Sequence, residues 1–282
     1  MPELPEVETV RRQLSLVLVD KVVTSVEVFK EKSWSGDFSL VIGQRIHSIE
    51  RRSKILQFVL SNGMSILAHL KMSGQFIYVD GEKRIGGGHP SLDWTNALPS
   101  SHTRVSFSFD DGTQLFFNDQ RIFGWMRLMT QTAVDEVFQV LAPDIIDPVI
   151  IPQFLFKKIH TRGVPIKVLI MDNTIVAGVG NIYACDGLNL ARISPFRPGS
   201  SLTFEETTIL LESLKSVVFL GIEKGGATID GKYVHVTGLS GTYQNVMRVY
   251  GKEDQPCPNC GSPILKKKLV GRGTYYCEVC QI

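Results

Sequence analysis

The chain has no uninterrupted apolar run of about 18 residues, and its N-terminus carries no apolar stretch like that of a secretory leader. Neither a transmembrane helix nor a signal peptide is therefore expected, and the expected address is the cytoplasm. It also lacks a dominant charge. Thirty Lys and Arg against 28 Asp and Glu leave a formal +2, which argues neither for nor against a polyanionic partner. Cysteine is scarce: there are 5, and all but Cys185 lie beyond Arg248. What is abundant is apolar material. At 282 residues and 43% hydrophobic content the chain can pack two domains or one large one.

The first half reads as β-structure. Lys21 to Val28 has strand character, and Lys54 to Leu60, Asn62-Gly63, Met64 to Leu70 reads as a hairpin over a type I′ turn. Thr103 to Phe109, Asp111-Gly112, Thr113 to Asn118 repeats the pattern. Between the two hairpins, Asp80 to Ser101 is rich in Gly, Pro and Ser without periodicity and reads as a surface loop. An antiparallel sandwich or barrel ending near Thr130 follows. From about Pro152 the spacing turns helical. Phe154, Leu155 and Ile159 share a face, and Gly178-Val179-Gly180-Asn181 offers a tight turn in which Asn181 can cap a following helix whose N–H groups suit a phosphate. Thr203 to Glu206 is a capping box before a stripe of Leu210, Leu214 and Val217 or Val218.

The C-terminal 35 residues carry the strongest local signal. Cys257-x2-Cys260 and Cys277-x2-Cys280, 16 residues apart, place four soft thiolates at the spacing of a closed tetrahedral zinc site of structural type, with two disulfides as the alternative. Six basic residues (Arg248, Lys252, Lys266, Lys267, Lys268, Arg272) face three acids (Glu253, Asp254, Glu278) in this region. Arg272 stands between two glycines at an expected hairpin tip.

The stretch Met1-Pro2-Glu3-Leu4-Pro5-Glu6-Val7-Glu8 can carry chemistry of its own. With Met1 removed, Pro2 would present a secondary amine. An α-amino group titrates near ~7.7–8.0 against ~10.4 for lysine, so at neutral pH it is far more often a nucleophile. Condensed with an aldehyde-level carbon it gives an iminium that stays cationic without a further proton. Glu3 and Glu6 would stand by to move protons. Pro5 at the first turn, Val7, Val10 and Leu14 at helical spacing, and Arg11-Arg12 after the acids equally describe an ordinary amphipathic helix that keeps Met1.

Pro2-Glu3-Leu4-Pro5-Glu6 at the start, Lys54, His69 to Gly74, Arg121 to Gly124, Gly178 to Asn181, Tyr250-Gly251-Lys252 and the four cysteines with Arg272, in that order, resemble the bacterial formamidopyrimidine-DNA glycosylases along essentially the whole chain. The resemblance implies an α+β fold in two domains. An N-terminal antiparallel β-sandwich with an N-terminal helix would span 1–130, with a linker over 131–150. A helix-two-turn-helix domain would span 151–246, with a lesion-recognition loop at about 227–243, and a zinc-ribbon β-hairpin finger would span 247–282. It implies a bifunctional glycosylase and abasic-site lyase that removes 8-oxoguanine and formamidopyrimidines from double-stranded DNA, acting as a monomer with one structural zinc ion.

In that reading Pro2 is the nucleophile, Glu3 the proton donor at the sugar, Glu6 a support for the terminus, and Lys54 a contact to the damaged nucleotide. His69, Lys167, Asn181 and Arg272 grip phosphates. Met72, Arg121 and Phe123 fill the gap left by the flipped nucleotide, replacing part of the few kcal/mol of stacking and pairing that extrusion costs. Gln120, Cys185-Asp186-Gly187 and Asp230 depart from the family pattern. Two alternatives stand beside it: the sister endonuclease VIII group, which prefers oxidised pyrimidines and has Gly where Leu4 stands here, and a zinc-dependent DNA-binding protein without catalysis.

Overall fold

The structure is a computed structural model and describes residues 2–88, 93, 96–227 and 241–282. It divides into two compact units, Met1–Gln139 with Lys224–Thr242, and Val140–Glu223 with Tyr243–Ile282. Among the described residues no helix is long and apolar enough to cross a membrane.

The first unit opens with helix α1 (Leu4–Leu18) and continues as two five-stranded sheets. One sheet runs β1 (Val23–Val28), β8 (Thr103–Phe109), β9 (Gln114–Asp119), β6 (Gly74–Asp80), β7 (Lys83–Gly88). The other runs β2 (Trp34–Ser35), β10 (Trp125–Thr130), β5 (Met64–His69), β4 (Ile55–Leu60), β3 (Ile46–Arg52), antiparallel except for the pair β2 and β10. Alternate residues of both sheets turn inward, and one core joins Phe58, Phe76 and Phe117 with Val7, Val10 and Leu14 of α1. Within it Phe58 and Phe76 meet edge to face, with ring centroids 5.6 Å apart, and Phe76 and Phe117 meet tilted at 5.1 Å.

Three local expectations need correction. Part of the stretch expected to be a loop, Asp80 to Ser101, is the edge strand β7, paired with β6 from Asp80↔Lys83 to Gln75↔Gly88. Its pattern is invisible in the sequence because Gly86-Gly87-Gly88 carry no side chains to alternate. Close approach requires a glycine here: a Cβ on Gly87 would stand 2.8 Å from Val10 of α1. The hairpin turns are three-residue loops rather than type I′. Gly63 N–H bonds Leu60 O at 3.0 Å and Gly112 N–H bonds Phe109 O at 3.0 Å, with the glycines at φ 77° and 83°. Asn62 uses its side chain, accepting Met64 N–H at 3.1 Å. Within the stretch read as a linker, residues 131–139 form helix α2 (Gln131–Gln139) of the first unit.

The second unit contains α3 (Pro152–Ile159), α4 (Ile166–Ile170), α5 (Asn181–Leu190), α6 (Phe204–Glu223) and the hairpin β11 (Leu265–Leu269) and β12 (Arg272–Tyr276). α6 starts with the expected box: Thr203 N–H donates to Glu206 Oε2 at 2.8 Å, and Glu206 N–H donates to Thr203 Oγ1 at 3.1 Å. At α5 the expectation fails. Gly180 occupies the cap position and Asn181 is the first helical residue, so its side chain is turned to other use. The unusual Cys185-Asp186-Gly187 run proves to be packing. A Cβ on Gly187 would come within 2.6 Å of Leu214, so α5 and α6 approach closely there. The buried Asp186 carboxylate accepts from Tyr243 Oη (2.9 Å) and from the backbone N–H groups of Arg248 (3.0 Å), Val249 (2.9 Å) and Tyr250 (3.2 Å). Burial pushes its pKa up, and those bonds work against the rise. Burial also lifts the Cys185 thiol to about 11, which leaves it unreactive near neutrality.

α1 is fastened to the sandwich by one carboxylate. Glu8 Oε1 accepts Arg11 Nη2 and Arg12 Nε at 2.8 Å each, and Oε2 accepts Arg11 Nε at 3.1 Å and Arg51 Nε at 3.0 Å. Burial would raise this carboxyl, but the hydrogen bonds from Arg11, Arg12 and Arg51 outweigh it and hold the pKa at about 2, below the ordinary 4.5. A depressed folded-state pKa stabilises above the unfolded value, and the contribution is lost as pH falls from about 4.5 towards about 2. Glu8→Gln is therefore expected to cost about 3 kcal/mol at pH 7. The cost should shrink steadily below pH 4.5 in urea melts recorded from pH 7 to pH 2.

Candidate functional site

In the first unit the N-terminus is anchored. Pro2 and Glu3 are buried, and Glu3 N–H donates to Glu6 Oε2 at 2.7 Å. The other Glu6 oxygen accepts Ala227 N–H at 2.7 Å, so the same carboxylate fixes the chain where it enters residues 228–240. Most of the expected lesion-recognition loop, with Asp230, lies outside the described residues. Lys54 is 6% exposed, in the short turn between β3 and β4, and follows Ser53 at φ 55°.

His69, at the end of β5, is held neutral. Burial lowers its pKa to about 3, and the positive charges of Lys71 and Lys54 add to the effect. Its Nδ1 accepts Lys71 N–H at 2.9 Å, which puts the proton on Nε2 and gives the ring one N–H to donate without a charge.

Met72, Arg121 and Phe123 lie on two loops, between β5 and β6 and between β9 and β10. Met72 is 39% and Phe123 49% exposed, and the Arg121 guanidinium lies over the Phe123 ring at 4.9 Å from its centroid. What holds these side chains out is a residue that sequence reasoning missed. The fully buried Asp119 carboxylate accepts Arg121 N–H at 3.2 Å, Phe123 N–H at 2.8 Å, Gly124 N–H at 2.6 Å and the hydroxyl of Ser73, next to Met72. One buried carboxyl group thus organises both loops. An aspartate whose side chain bonds the backbone N–H two residues on is a turn signal, and Asp119 stands two before Arg121. Lys71 and Ile122, at φ 52° and 57°, take the left-handed conformation within the same loops, a cost the surrounding bonds must offset.

In the second unit Lys167, Asn181 and the finger meet. Lys167, 2% exposed, donates from Nζ to Thr274 Oγ1 at 2.7 Å and to Gly273 O at 3.4 Å. Asn181 Nδ2 donates to the same Gly273 O at 3.0 Å. The exposed Arg272 is the neighbouring residue, and a cavity of about 280 Å³ is lined by Lys167, Val168, Met171, Asp172, Leu269, Val270 and Arg272. Three cationic or donor side chains are therefore gathered where β12 begins.

The four cysteine Sγ atoms lie within 4.8 Å of one another, with Cys257 to Cys280 at 3.6 Å and Cys260 to Cys277 at 3.4 Å. These separations are far longer than the ~2.05 Å of a disulfide and close to the edge of a tetrahedron with Zn–S near ~2.3 Å. The donor set fits zinc. No coordination position is left for a substrate, so the ion's role is structural. Two asparagines that sequence reasoning missed support the thiolates: Asn189 Nδ2 approaches Cys257 Sγ at 3.7 Å, and Asn259 donates its backbone N–H to Cys257 Sγ at 3.4 Å and its Nδ2 to Cys280 Sγ at 3.8 Å. Spacing gave no hint of Asn189, which reaches the finger from α5.

Asp119→Asn tests the loop hub, because one amide N–H2 must then face backbone donors. A loss of about 2–3 kcal/mol is expected. Hydrogen exchange should show protection falling at Arg121, Phe123 and Gly124 while β9 and β10 keep theirs.

Three family models match the chain: the formamidopyrimidine-DNA glycosylase N-terminal domain over residues 1–126, the formamidopyrimidine-DNA glycosylase H2TH domain over 141–232, and the zinc finger found in FPG and IleRS over 254–282. A formamidopyrimidine-DNA glycosylase of Pelotomaculum thermopropionicum is 36% identical over 288 residues, covering 100% of this chain and 99% of the relative. The crystal structure of the MutM (FPG) protein from Thermus thermophilus superposes with a TM-score of 0.85 at 35% identity, covering 99% of this chain and 98% of that one. A Lactococcus lactis formamidopyrimidine-DNA glycosylase bound non-covalently to DNA containing an abasic site gives 0.86 at 29% identity, covering 99% of each chain. With the sandwich and the cysteine-bearing helical unit both matched along their length, the chain belongs to the formamidopyrimidine-DNA glycosylase family.

Proposed function

We propose that the chain is a bifunctional DNA glycosylase and abasic-site lyase of base excision repair, acting as a monomer on double-stranded DNA in the bacterial cytoplasm and preferring oxidised purines. The observation that carries the reading is the anchored terminus: Pro2 and Glu3 are buried and the Glu3 backbone is tied to Glu6 at 2.7 Å, so a terminal amine here would be held in place rather than on a loose end.

After loss of Met1, the Pro2 nitrogen attacks C1′ and the bond from C1′ to the damaged base breaks, the base leaving with the electron pair and taking up a proton. Glu3 gives a proton to the sugar ring oxygen as the ring opens, and an iminium forms between Pro2 and C1′. Its positive charge acidifies the C2′ hydrogens. Loss of one expels the 3′ phosphate, a second elimination expels the 5′ phosphate, and water releases the sugar remnant from the amine. Glu6 supports the terminus and Lys54 contacts the damaged nucleotide. Met72, Phe123 and Arg121 enter the gap it leaves, the first two replacing stacking and the guanidinium satisfying the orphaned base. His69, Lys167, Asn181 and Arg272 hold phosphates.

Leu4, where the sister group has Gly, supports the purine preference. Mixed equimolar duplexes carrying 8-oxoguanine or an oxidised pyrimidine should show the purine duplex cut first, leaving a gap with phosphate at both ends. Faster cutting of the pyrimidine duplex would assign the chain to the sister activity, and tight binding without cutting would leave a DNA-binding protein. Arg272→Ala should weaken binding and reduce the slope of log affinity against log salt by about 1. Equal slopes would contradict a phosphate contact.

A further inference from the structure

Lys54 owes its position to an uncommon piece of backbone. β3 and β4 pair up to Arg52↔Ile55, leaving Ser53 and Lys54 as the whole turn, and Ser53 takes φ 55° without being glycine. The peptide plane that joins Ser53 to Lys54 is held from one side by a side chain: Arg51 Nη1 donates to Ser53 O at 2.8 Å. The orientation of that plane sets the direction in which the Lys54 side chain leaves the backbone. The same guanidinium is held at its other end by Glu8 on α1, through Nε to Oε2 at 3.0 Å, and its side chain is only 7% exposed. A planar group with fixed donor directions can span two acceptors in this way, whereas a lysine ammonium at the same place cannot hold both in register.

We infer that Arg51 is a positioning residue for the reaction, a rigid strut that sets Lys54 relative to α1, the helix that Glu3 caps and Pro2 precedes. This rests on the reading of Pro2 as nucleophile and Lys54 as a contact to the damaged nucleotide. The role assigned to Arg51 includes no contact with substrate or reacting atoms. It acts through Ser53 O, so its effect must disappear when Lys54 has nothing to position.

The test is a double-mutant cycle on the full chain with zinc bound, using wild type, Arg51→Lys, Lys54→Ala and the double variant. Two quantities are read: the single-turnover rate of borohydride trapping on a duplex with an abasic site, and the affinity for a duplex with a non-reactive tetrahydrofuran abasic analogue. Glu8 keeps Arg11 and Arg12 in every variant, so the ion cluster survives. Arg51→Gln serves as a second probe, since its amide can reach one of the two acceptors but not both. Either Arg51 substitution should slow trapping about 10- to 100-fold, with affinity for the analogue lowered no more than Lys54→Ala lowers it. Neither should slow it further in the Lys54→Ala background. Full additivity with Lys54→Ala, or wild-type trapping rates in both Arg51 variants, overturns the inference while leaving the proposed function intact. A wild-type chain that traps no abasic DNA overturns the proposed function and this inference with it.

Discussion

The proposed nucleophile, the Pro2 amine, gains in rate from being held still by the first turn behind it. In this chain that demand falls on Glu8, seated between α1 and β3 with less than a tenth of its residue surface exposed and bound by Arg11, Arg12 and Arg51. A carboxylate in such a place is costly to desolvate and stays ionised only because several guanidinium donors converge on it. Apolar contacts of Val7, Val10 and Leu14 give α1 its adhesion to the sandwich core. They fix its face but allow sliding and rotation, which directed hydrogen bonds do not. Glu6 then carries the constraint forward to Glu3 and across to Ala227.

The same device recurs wherever the fold must hold irregular backbone. Asp119 collects three backbone N–H groups and a hydroxyl to shape the two loops that present Met72, Arg121 and Phe123. Asp186 collects three more and the Tyr243 hydroxyl to hold the segment leading into the finger. Irregular segments cannot satisfy their N–H groups within a ladder or a helix, so a buried carboxylate serves as the common acceptor. The exposed side chains of Met72, Arg121 and Phe123 thus rest on a buried carboxyl group that ties the two loops together.

How much of this is legible in the sequence depends on whether the signal is local. The Cys257, Cys260, Cys277 and Cys280 spacing specifies a chelating site, because ligand geometry is written into two short turns. Both hairpins are legible in place from their alternation, though the turn type is not, since Gly63 and Gly112 close three-residue loops. β7 is hidden by Gly86, Gly87 and Gly88, and Gly87 serves to let α1 come close rather than to show a pattern. Asn181 looks like a helix cap but stands one position inside the helix, with its amide on Gly273 O. The supporting residues are the least legible. Asp119 to Ser73, Asn189 to Cys257 and Arg51 to Glu8 span 46, 68 and 43 residues of sequence, and no periodicity reports a contact of that range.

The central claim is that the nucleophile is the amine of Pro2, and covalent capture tests it most directly. Borohydride added to the protein on a duplex with one 8-oxoguanine should give a stable adduct whose peptide mass map places the sugar remnant on Pro2, with Met1 absent from the chain. An adduct on a lysine instead, or no adduct from a chain shown to begin at Pro2, would contradict the account.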